Sequence, residues 1–180
     1  MAVETIPIPL GFKAPDFTLL DTNTGENKSL SELSSDLATV VMFICNHCPY
    51  VKHINQGLND LARDYQPKGV SFIAISSNDV ENYPDDSPEK MKDMNYPFSY
   101  LYDETQQVAR NYNAACTPDF SIFNEDLNCV YRGQMDGTRP GSDIPVTGED
   151  IRAALDSLLA GEPVTELQHP SIGCSIKWKS

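Results

Sequence analysis

The sequence lacks a long apolar run, and basic residues are scarce. The longest uninterrupted hydrophobic stretch covers residues 40–45, whereas a membrane-spanning helix needs roughly 18 apolar residues. Thirteen Lys and Arg stand against 26 Asp and Glu, so the net charge is −13. Such an acidic surface repels nucleic-acid phosphates and anionic lipid headgroups. We therefore expect no nucleic-acid partner and no membrane partner.

Cysteine is also infrequent, and its count is odd. Five cysteines in 180 residues are too few for a disulfide framework, and at least one must stay unpaired. The first residues carry neither a basic stretch nor the apolar segment of a secretory signal. A chain of this length matches one domain with short additions. These features predict a cytoplasmic, single-domain protein.

Strand and helix patterns alternate along the chain. Residues 39–44 and 70–75 are apolar and β-branched, as in strands covered on both faces. Apolar residues recur at steps of three and four over 51–65, which predicts a helix and completes a βαβ unit. The second half predicts a helix capped by Thr105, a hairpin over 119–134 and a final helix. This order predicts an α/β fold with a mixed central sheet and helices on both faces.

Three segments lie outside this predicted core. Residues 1–13 form an extended lead-in whose two prolines interrupt regular pairing. Residues 79–95 are an apparent insertion, and we interpret its acids as solvated because they lack calcium-loop spacing; they are Asp79, Glu81, Asp85, Asp86 and Glu89. Apolar and polar residues alternate over 172–179, which predicts an extended, packed segment. The expected division is a domain over 1–161 and a packed tail over 162–180.

The most informative pattern is Cys45-Asn46-His47-Cys48, where the first buried strand meets the long helix. Two cysteines separated by two residues lie within disulfide range of each other. A helix N-terminus stabilises a thiolate through its partial positive charge and free N–H groups. A protonated His47 would act in the same direction, and Lys52 could also help to hold a thiolate.

The order of strand, C-x-x-C, helix, Thr117-Pro118, hairpin and terminal helix resembles the thioredoxin fold. The lead-in over 11–19 resembles the redoxin branch of the AhpC/TSA type, which includes peroxiredoxins. Residues 43–52 and the tail over 171–178 resemble one peroxiredoxin-like group, and this likeness covers essentially the whole chain. The resemblance implies that Thr117-Pro118 faces the redox pair. It also implies that the backbone before Pro118 holds a substrate strand.

The sequence departs from these families at positions that bear on the reaction. Peroxiredoxins carry a Pro and a Thr seven and three residues before the peroxidatic cysteine. Those places hold Val41 and Cys45 counted from Cys48, or Ala38 and Met42 counted from Cys45. No hydroxyl is thus available there to position a peroxide, so efficient peroxidase action is not expected.

The identity of the attacking cysteine is open to two interpretations. Pro49 could be the first helical residue, with Cys48 as its cap nearest the helix dipole, as in peroxiredoxins. Thioredoxins instead expose the first cysteine and bury the second, which favours Cys45. We expect Cys45 to be the nucleophile, since an exposed sulfur must meet the partner. His47 before the second cysteine is similar to the bacterial periplasmic disulfide oxidase, a strong oxidant.

Each of the three remaining cysteines has two possible roles, in core packing or in the redox reaction. Cys129 and Cys116 fit buried hydrophobic positions, although Cys116 should lie near the pair and is a possible third thiol. Cys174 lies on the apolar side of the tail, which favours packing. A third thiol that resolves a mixed disulfide is the alternative for Cys174.

The predicted activity is thiol–disulfide exchange. Cys45 attacks a protein or small-molecule disulfide, Cys48 resolves the mixed disulfide, and electrons come from an external dithiol reductant. No cofactor and no resident metal are expected. One competing function is a thiol-dependent peroxidase that uses Cys45 or Cys48. The other is a copper or zinc carrier that uses the same pair with His47 and Cys116.

Overall fold

The computed structural model describes residues 1–180, and its strands form two sheets. The ten strands are β1 (Ala2–Glu4), β2 (Thr18–Asp21), β3 (Asn27–Ser29), β4 (Ala38–Phe43), β5 (Val70–Ser76), β6 (Ser99–Tyr102), β7 (Cys116–Thr117), β8 (Asp119–Phe123), β9 (Cys129–Gly133) and β10 (Ile172–Ser175). The five α-helices are α1 (Leu30–Leu33), α2 (Pro49–Tyr65), α3 (Pro88–Asp93), α4 (Gln107–Asn111) and α5 (Glu149–Leu159). None of the helices has the length and apolar character that a bilayer span requires.

The larger sheet has seven strands in the order β3-β2-β6-β5-β4-β8-β9. Strands β4, β5 and β6 run parallel, and the other neighbours pair antiparallel. All six residues of β4 are buried, because β4 lies between β5 and β8 and both of its faces are covered. Helix α2 is the crossover between β4 and β5. The predicted mixed sheet is confirmed.

Helices cover both faces of this sheet. One face carries a core of 26 buried residues to which α2 and α5 contribute. The other face carries a core of 15 residues that includes Leu30 of α1 and Val108 of α4. Successive side chains of β4 enter opposite cores, with Met42 in the first and Phe43 in the second, as the alternation of a strand requires. Helices on both faces are thereby confirmed.

The smaller sheet joins both ends of the chain to its middle. Strand β10 pairs antiparallel with β1 on one side and with β7 on the other. The prediction of an unpaired lead-in is wrong for Ala2–Glu4, because Pro7 and Pro9 follow β1 and leave its N–H groups free to pair. The tail therefore lies directly beside the segment that precedes Pro118.

The start of α4 also differs from the prediction. The N-cap is Gln106, at a φ of 65°, and not the exposed Thr105. The buried carboxylate of Asp103 accepts the N–H groups of Val108 and Ala109 at 3.4 and 2.9 Å. A buried carboxylate is a stronger acceptor for the first turn of a helix than an exposed hydroxyl.

Candidate active site

Cys45 and Cys48 lie on the turn between β4 and α2. Pro49 is the first residue of α2 and Cys48 is its N-cap, since proline disfavours a helical conformation at the preceding residue. The two thiols are free, and they lie close enough for each to shift the pKa of the other. Neither reaches solvent, because Cys45 is 1% and Cys48 0% exposed. Lys52 is exposed on α2 and forms no hydrogen bond with either sulfur.

Thr117 and Pro118 lie against this pair, and the peptide bond between them is cis. The Thr117 hydroxyl lies 3.6 Å from the sulfur of Cys45. The Thr117 carbonyl oxygen accepts a hydrogen bond from the Cys48 thiol at 3.4 Å. A single residue at the end of β7 therefore contacts both sulfurs.

A buried carboxylate from the insertion holds the turn in place. One oxygen of Asp86 accepts the backbone N–H groups of Asn46 and His47 at 2.7 and 3.2 Å. The other accepts from the His47 ring at 2.5 Å and from the Asn78 amide at 2.9 Å. The interpretation of the insertion acids as solvated is wrong for Asp86 and Asp79, which are 0% and 5% exposed. Nothing in the local sequence separates Asp86 from its exposed neighbours.

The bond to Asp86 fixes the orientation of His47. An ionised carboxylate only accepts hydrogen bonds, so Nδ1 of His47 carries the proton in this contact. The same nitrogen lies 3.9 Å from the sulfur of Cys45. The Tyr83 ring stacks on the imidazole, with 5.5 Å between the ring centroids. His47 is thus held beside Cys45 by two residues of the insertion.

The surroundings of Cys45 and Cys48 shift the pKa values of the two thiols in opposite directions. The pKa of Cys48 is lowered, with the neighbouring Cys45 side chain as the largest cause and smaller contributions from Cys174, Thr117 and the Val51 backbone. The pKa of Cys45 is raised by the proximity of Cys48 and by burial. The lowered pKa and the position at the N-terminus of α2 favour Cys48 over Cys45 for ionisation, and as a thiol Cys48 donates a hydrogen bond to the Thr117 carbonyl.

Cys174 lies next to the pair, whereas the thiol of Cys116 makes its hydrogen bond elsewhere. The register of β10 on β7 sets Cys174 opposite Thr117, and Cys174 packs against the cluster that contains Cys45 and Cys48. The sulfur of Cys116 instead donates to the Pro118 carbonyl at 3.7 Å, and burial raises its pKa. The site therefore contains three neighbouring sulfurs.

One cluster of side chains has the donor set of a metal site. The ligand atoms of Cys45, His47 and Asp86 all lie within 4.8 Å of one another, and thiolate, imidazole and carboxylate are ligands of zinc. However, His47 Nδ1 is already bonded to an Asp86 oxygen, and both Asp86 oxygens accept two hydrogen bonds each. A metal ion would have to displace these contacts, so the residues fit redox chemistry better than metal binding.

A model of the AhpC/TSA family matches residues 10–133, which include Cys45, Cys48 and the Thr117-Pro118 turn. The chain belongs to the AhpC/TSA family. This membership confirms the resemblance seen in the sequence. None of the curated proteins matches the chain.

Two solved structures align with nearly all of this AhpC/TSA family member. A conserved protein from Geobacillus kaustophilus is 63% identical, with a TM-score of 0.98 and coverage of 99% of this chain and 97% of that chain. A protein from Sinorhizobium meliloti 1021 is 42% identical, with a TM-score of 0.95 and coverage of 98% of each chain. The likeness therefore extends well beyond residue 133.

Solved structures with lower sequence identity include a peroxidoxin and a thiol-disulfide oxidoreductase. Peroxidoxin BcpB from Mycobacterium tuberculosis is 20% identical, with a TM-score of 0.62 over 84% of this chain and 96% of that chain. The thioredoxin domain of a thiol-disulfide oxidoreductase from Bacteroides vulgatus is 16% identical, with a TM-score of 0.62 over 81% of this chain and 97% of that chain. At these identities the likeness shows the thioredoxin fold alone.

Proposed function

We propose that this protein is a thiol–disulfide oxidoreductase whose Cys45 and Cys48 alternate between dithiol and disulfide. One observation carries the proposal: both cysteines lie on the turn that opens α2, and Thr117 contacts both sulfurs, its hydroxyl 3.6 Å from Cys45 and its carbonyl oxygen 3.4 Å from Cys48. Such an arrangement stabilises one thiolate and keeps the second thiol ready to resolve a mixed disulfide. The substrate is a protein or small-molecule disulfide, and an external dithiol restores the pair.

In this proposal the attacking thiolate is Cys48, in place of the Cys45 favoured by the sequence. The Cys48 thiolate attacks one sulfur of the substrate disulfide, that S–S bond breaks, and the other substrate sulfur leaves as a thiolate. Cys45 then attacks the sulfur of Cys48, and the bond between Cys48 and the substrate sulfur breaks. That sulfur leaves as a thiol with the proton of Cys45, and the Cys45–Cys48 disulfide is closed.

A peroxidase is the weaker alternative. Peroxide reduction needs donors beside the thiolate that polarise the O–O bond of peroxide. Counted from Cys48, Val41 and Cys45 occupy the places of the proline and the threonine of peroxiredoxins, so the threonine hydroxyl is missing. The Thr117 hydroxyl is already engaged with Cys45. A reducing compartment such as the cytoplasm is the proposed location, because five cysteines are too few and too odd in number for the disulfide framework of a secreted protein.

A comparison of the rates with a disulfide and with peroxide as the electron acceptor tests the proposed function directly. With dithiothreitol as the reductant, the wild-type protein should reduce glutathione disulfide faster than the reductant alone, and should consume hydrogen peroxide only slowly. The variant Cys45→Ala/Cys48→Ala should show neither activity. Faster turnover of peroxide than of disulfide would favour the peroxidase, and full activity of the double variant would exclude both reactions at this pair.

A further inference from the structure

The tail lies where an extended substrate would pair with the site. Strand β10 runs antiparallel to β7, with Cys174 opposite Thr117 and Ser175 opposite Cys116. Addition of a strand to a sheet edge is a common way for proteins to bind an extended peptide. The edge of β7 that adjoins the sulfur pair is therefore already filled by a strand of the same chain.

The contact between tail and site is too close for an ordinary side chain. A Cβ atom on Gly173 would lie 1.8 Å from the Thr117 carbonyl oxygen, so only glycine fits there. On one side of this contact, the Ser171 hydroxyl donates to the Pro118 carbonyl at 2.6 Å. On the other side, the Ile176 N–H donates to the Ala115 carbonyl at 3.0 Å. These bonds fix the position of the tail cysteine.

The last residues of the chain anchor the tail further. The Lys177 N–H donates to the Asn78 side chain at 2.9 Å, and the Trp178 ring lies under the Arg110 guanidinium, 4.4 Å from the ring centroid. Release of the tail would break these contacts together with the pairing to β1 and β7. A route to the sulfur pair that leaves the tail in place is therefore favoured.

Cys174 offers such a route. Cys45 and Cys48 are sealed from solvent, whereas Cys174 is only partly buried. It lies across the edge of β7 from Thr117, the residue whose carbonyl accepts the Cys48 thiol, and it packs against the cluster that contains Cys45 and Cys48. Among the three sulfurs, Cys174 is thus the one that an external thiol can reach while the fold stays closed.

We propose that the tail is a tethered internal substrate strand and that Cys174 is a third redox thiol, which carries electrons between the buried pair and external thiols. The proposal rests on the proposed function, because it needs a Cys45–Cys48 disulfide. The Cys174 thiolate attacks the sulfur of Cys48, the Cys45–Cys48 bond breaks, and a Cys48–Cys174 bond forms. The proton given up by Cys174 ends on Cys45, and the number of disulfides stays at one, so this step needs no oxidant.

Return of the site to the reduced state uses an external dithiol. One of its thiolates attacks the partly exposed sulfur of Cys174, and Cys48 leaves as the thiolate that its surroundings stabilise. The second thiol of the reductant then attacks its own first sulfur in the mixed disulfide and releases Cys174. The reductant departs as a disulfide, and all three cysteines are thiols again.

Disulfide mapping tests the connection between the tail and the pair. The variant Cys45→Ser is oxidised with glutathione disulfide, quenched in acid, alkylated and mapped by mass spectrometry. A Cys48–Cys174 disulfide is expected in most molecules. The matched control Cys45→Ser/Cys174→Ser/Ser175→Cys keeps the number of thiols but moves the tail thiol to the opposite face of β10, and it should form no link to Cys48.

Turnover tests whether this connection carries electrons. The variant Cys174→Ser should still form the Cys45–Cys48 disulfide, while reduction of that disulfide by dithiothreitol slows about tenfold or more. An unchanged rate, or a Cys45→Ser protein without the Cys48–Cys174 bond, would overturn the relay while leaving the proposed function intact. Failure of wild type and Cys174→Ser alike to form Cys45–Cys48 would instead refute the proposed function.

Discussion

Cys48 and Cys129 are both buried, but their surroundings act on them in opposite ways. Cys129 lies in the hairpin strand β9, where its thiol donates to the Tyr131 carbonyl at 3.3 Å and burial raises its pKa to about 11. Cys48 is equally enclosed, yet the donors around it lower its pKa. Burial disfavours a thiolate, and only a sufficient set of donors reverses that effect. The comparison separates a structural cysteine from a reactive one.

Substitution of Cys48 and of Cys129, one at a time, should give the largest difference in activity. Cys48→Ser should lower the rate of disulfide reduction by about a hundredfold or more, because it removes the nucleophile. Cys129→Ala should change that rate by less than about twofold and cost roughly 1 kcal/mol of stability through a small cavity. Turnover with glutathione disulfide and urea unfolding measure the two effects. Similar activity losses in both variants would contradict the assignment.

The second-largest effect is expected for Asp86, the carboxylate that holds the turn with Cys45 and Cys48. Asp86→Ala leaves the N–H groups of Asn46 and His47 and the His47 ring without an acceptor, so we expect a loss of about 3 kcal/mol in the free energy of unfolding. The adjacent exposed pair of Asp85 with Lys90 provides the control. Asp85→Ala should cost less than about 1 kcal/mol. Urea unfolding of both variants gives the comparison, and equal losses would count against a special role of Asp86.

The opposite pKa shifts predict opposite effects of pH on the reduced protein. A lowered folded-state pKa at Cys48 means that the unfolded chain binds more protons, so this group adds stability as pH rises towards the ordinary thiol pKa of about 8.5. That contribution is fully present above this value and is lost as pH falls through the folded pKa. Cys129, with its raised pKa, costs stability above about pH 8.5.

The free energy of unfolding, measured at several pH values in wild type, Cys48→Ser and Cys129→Ala, shows the contribution of each cysteine to stability. The rise in stability from acidic to neutral pH should be smaller in Cys48→Ser than in wild type. Cys129→Ala should keep that rise and should lose less stability than wild type at alkaline pH. An unchanged pH profile in Cys48→Ser would show that Cys48 is not a thiolate.

Replacement of the exposed lysine on α2 should have the smallest effect. Lys52 makes no hydrogen bond to the sulfurs and is surrounded by solvent, which screens its charge. Lys52→Gln should therefore alter the rate of disulfide reduction by less than about twofold. The same assay applies, and a large loss would restore the tuning role that the sequence suggested for this residue.

The sequence predicted those parts of the fold that depend on local patterns. The apolar run over 39–44 indicated β4, because a strand buried on both faces is apolar at every position. The helical periodicity over 51–65 indicated α2 and the crossover, because a helix buried on one side carries a single apolar stripe. Pro49 allowed Cys48 to be considered as the helix cap. The short pairing of β1 with β10 escaped prediction, since three-residue strands carry little periodic signal.

Local sequence predicted the Cys45–Cys48 turn, and the family resemblance added Thr117-Pro118, but the other distant partners of the site could not be predicted. Asp86 reaches Asn46 across 40 positions of the chain, and no local feature distinguishes it from Asp85. The contact of Cys174 with Cys48 depends on the register of β10 against β7. Alternation in the tail indicated a packed segment but could not give its partner strand. Long-range pairing therefore decided what the motif alone left open.

A redox titration of the wild-type protein tests the central claim most directly. The protein is equilibrated in glutathione buffers of known potential, quenched in acid, alkylated and analysed by mass spectrometry. We predict a two-electron transition to a Cys45–Cys48 disulfide, with a midpoint between about −270 and −120 mV, while Cys129 stays a thiol throughout. Folded protein in which both sulfurs remain reduced across that range would contradict it.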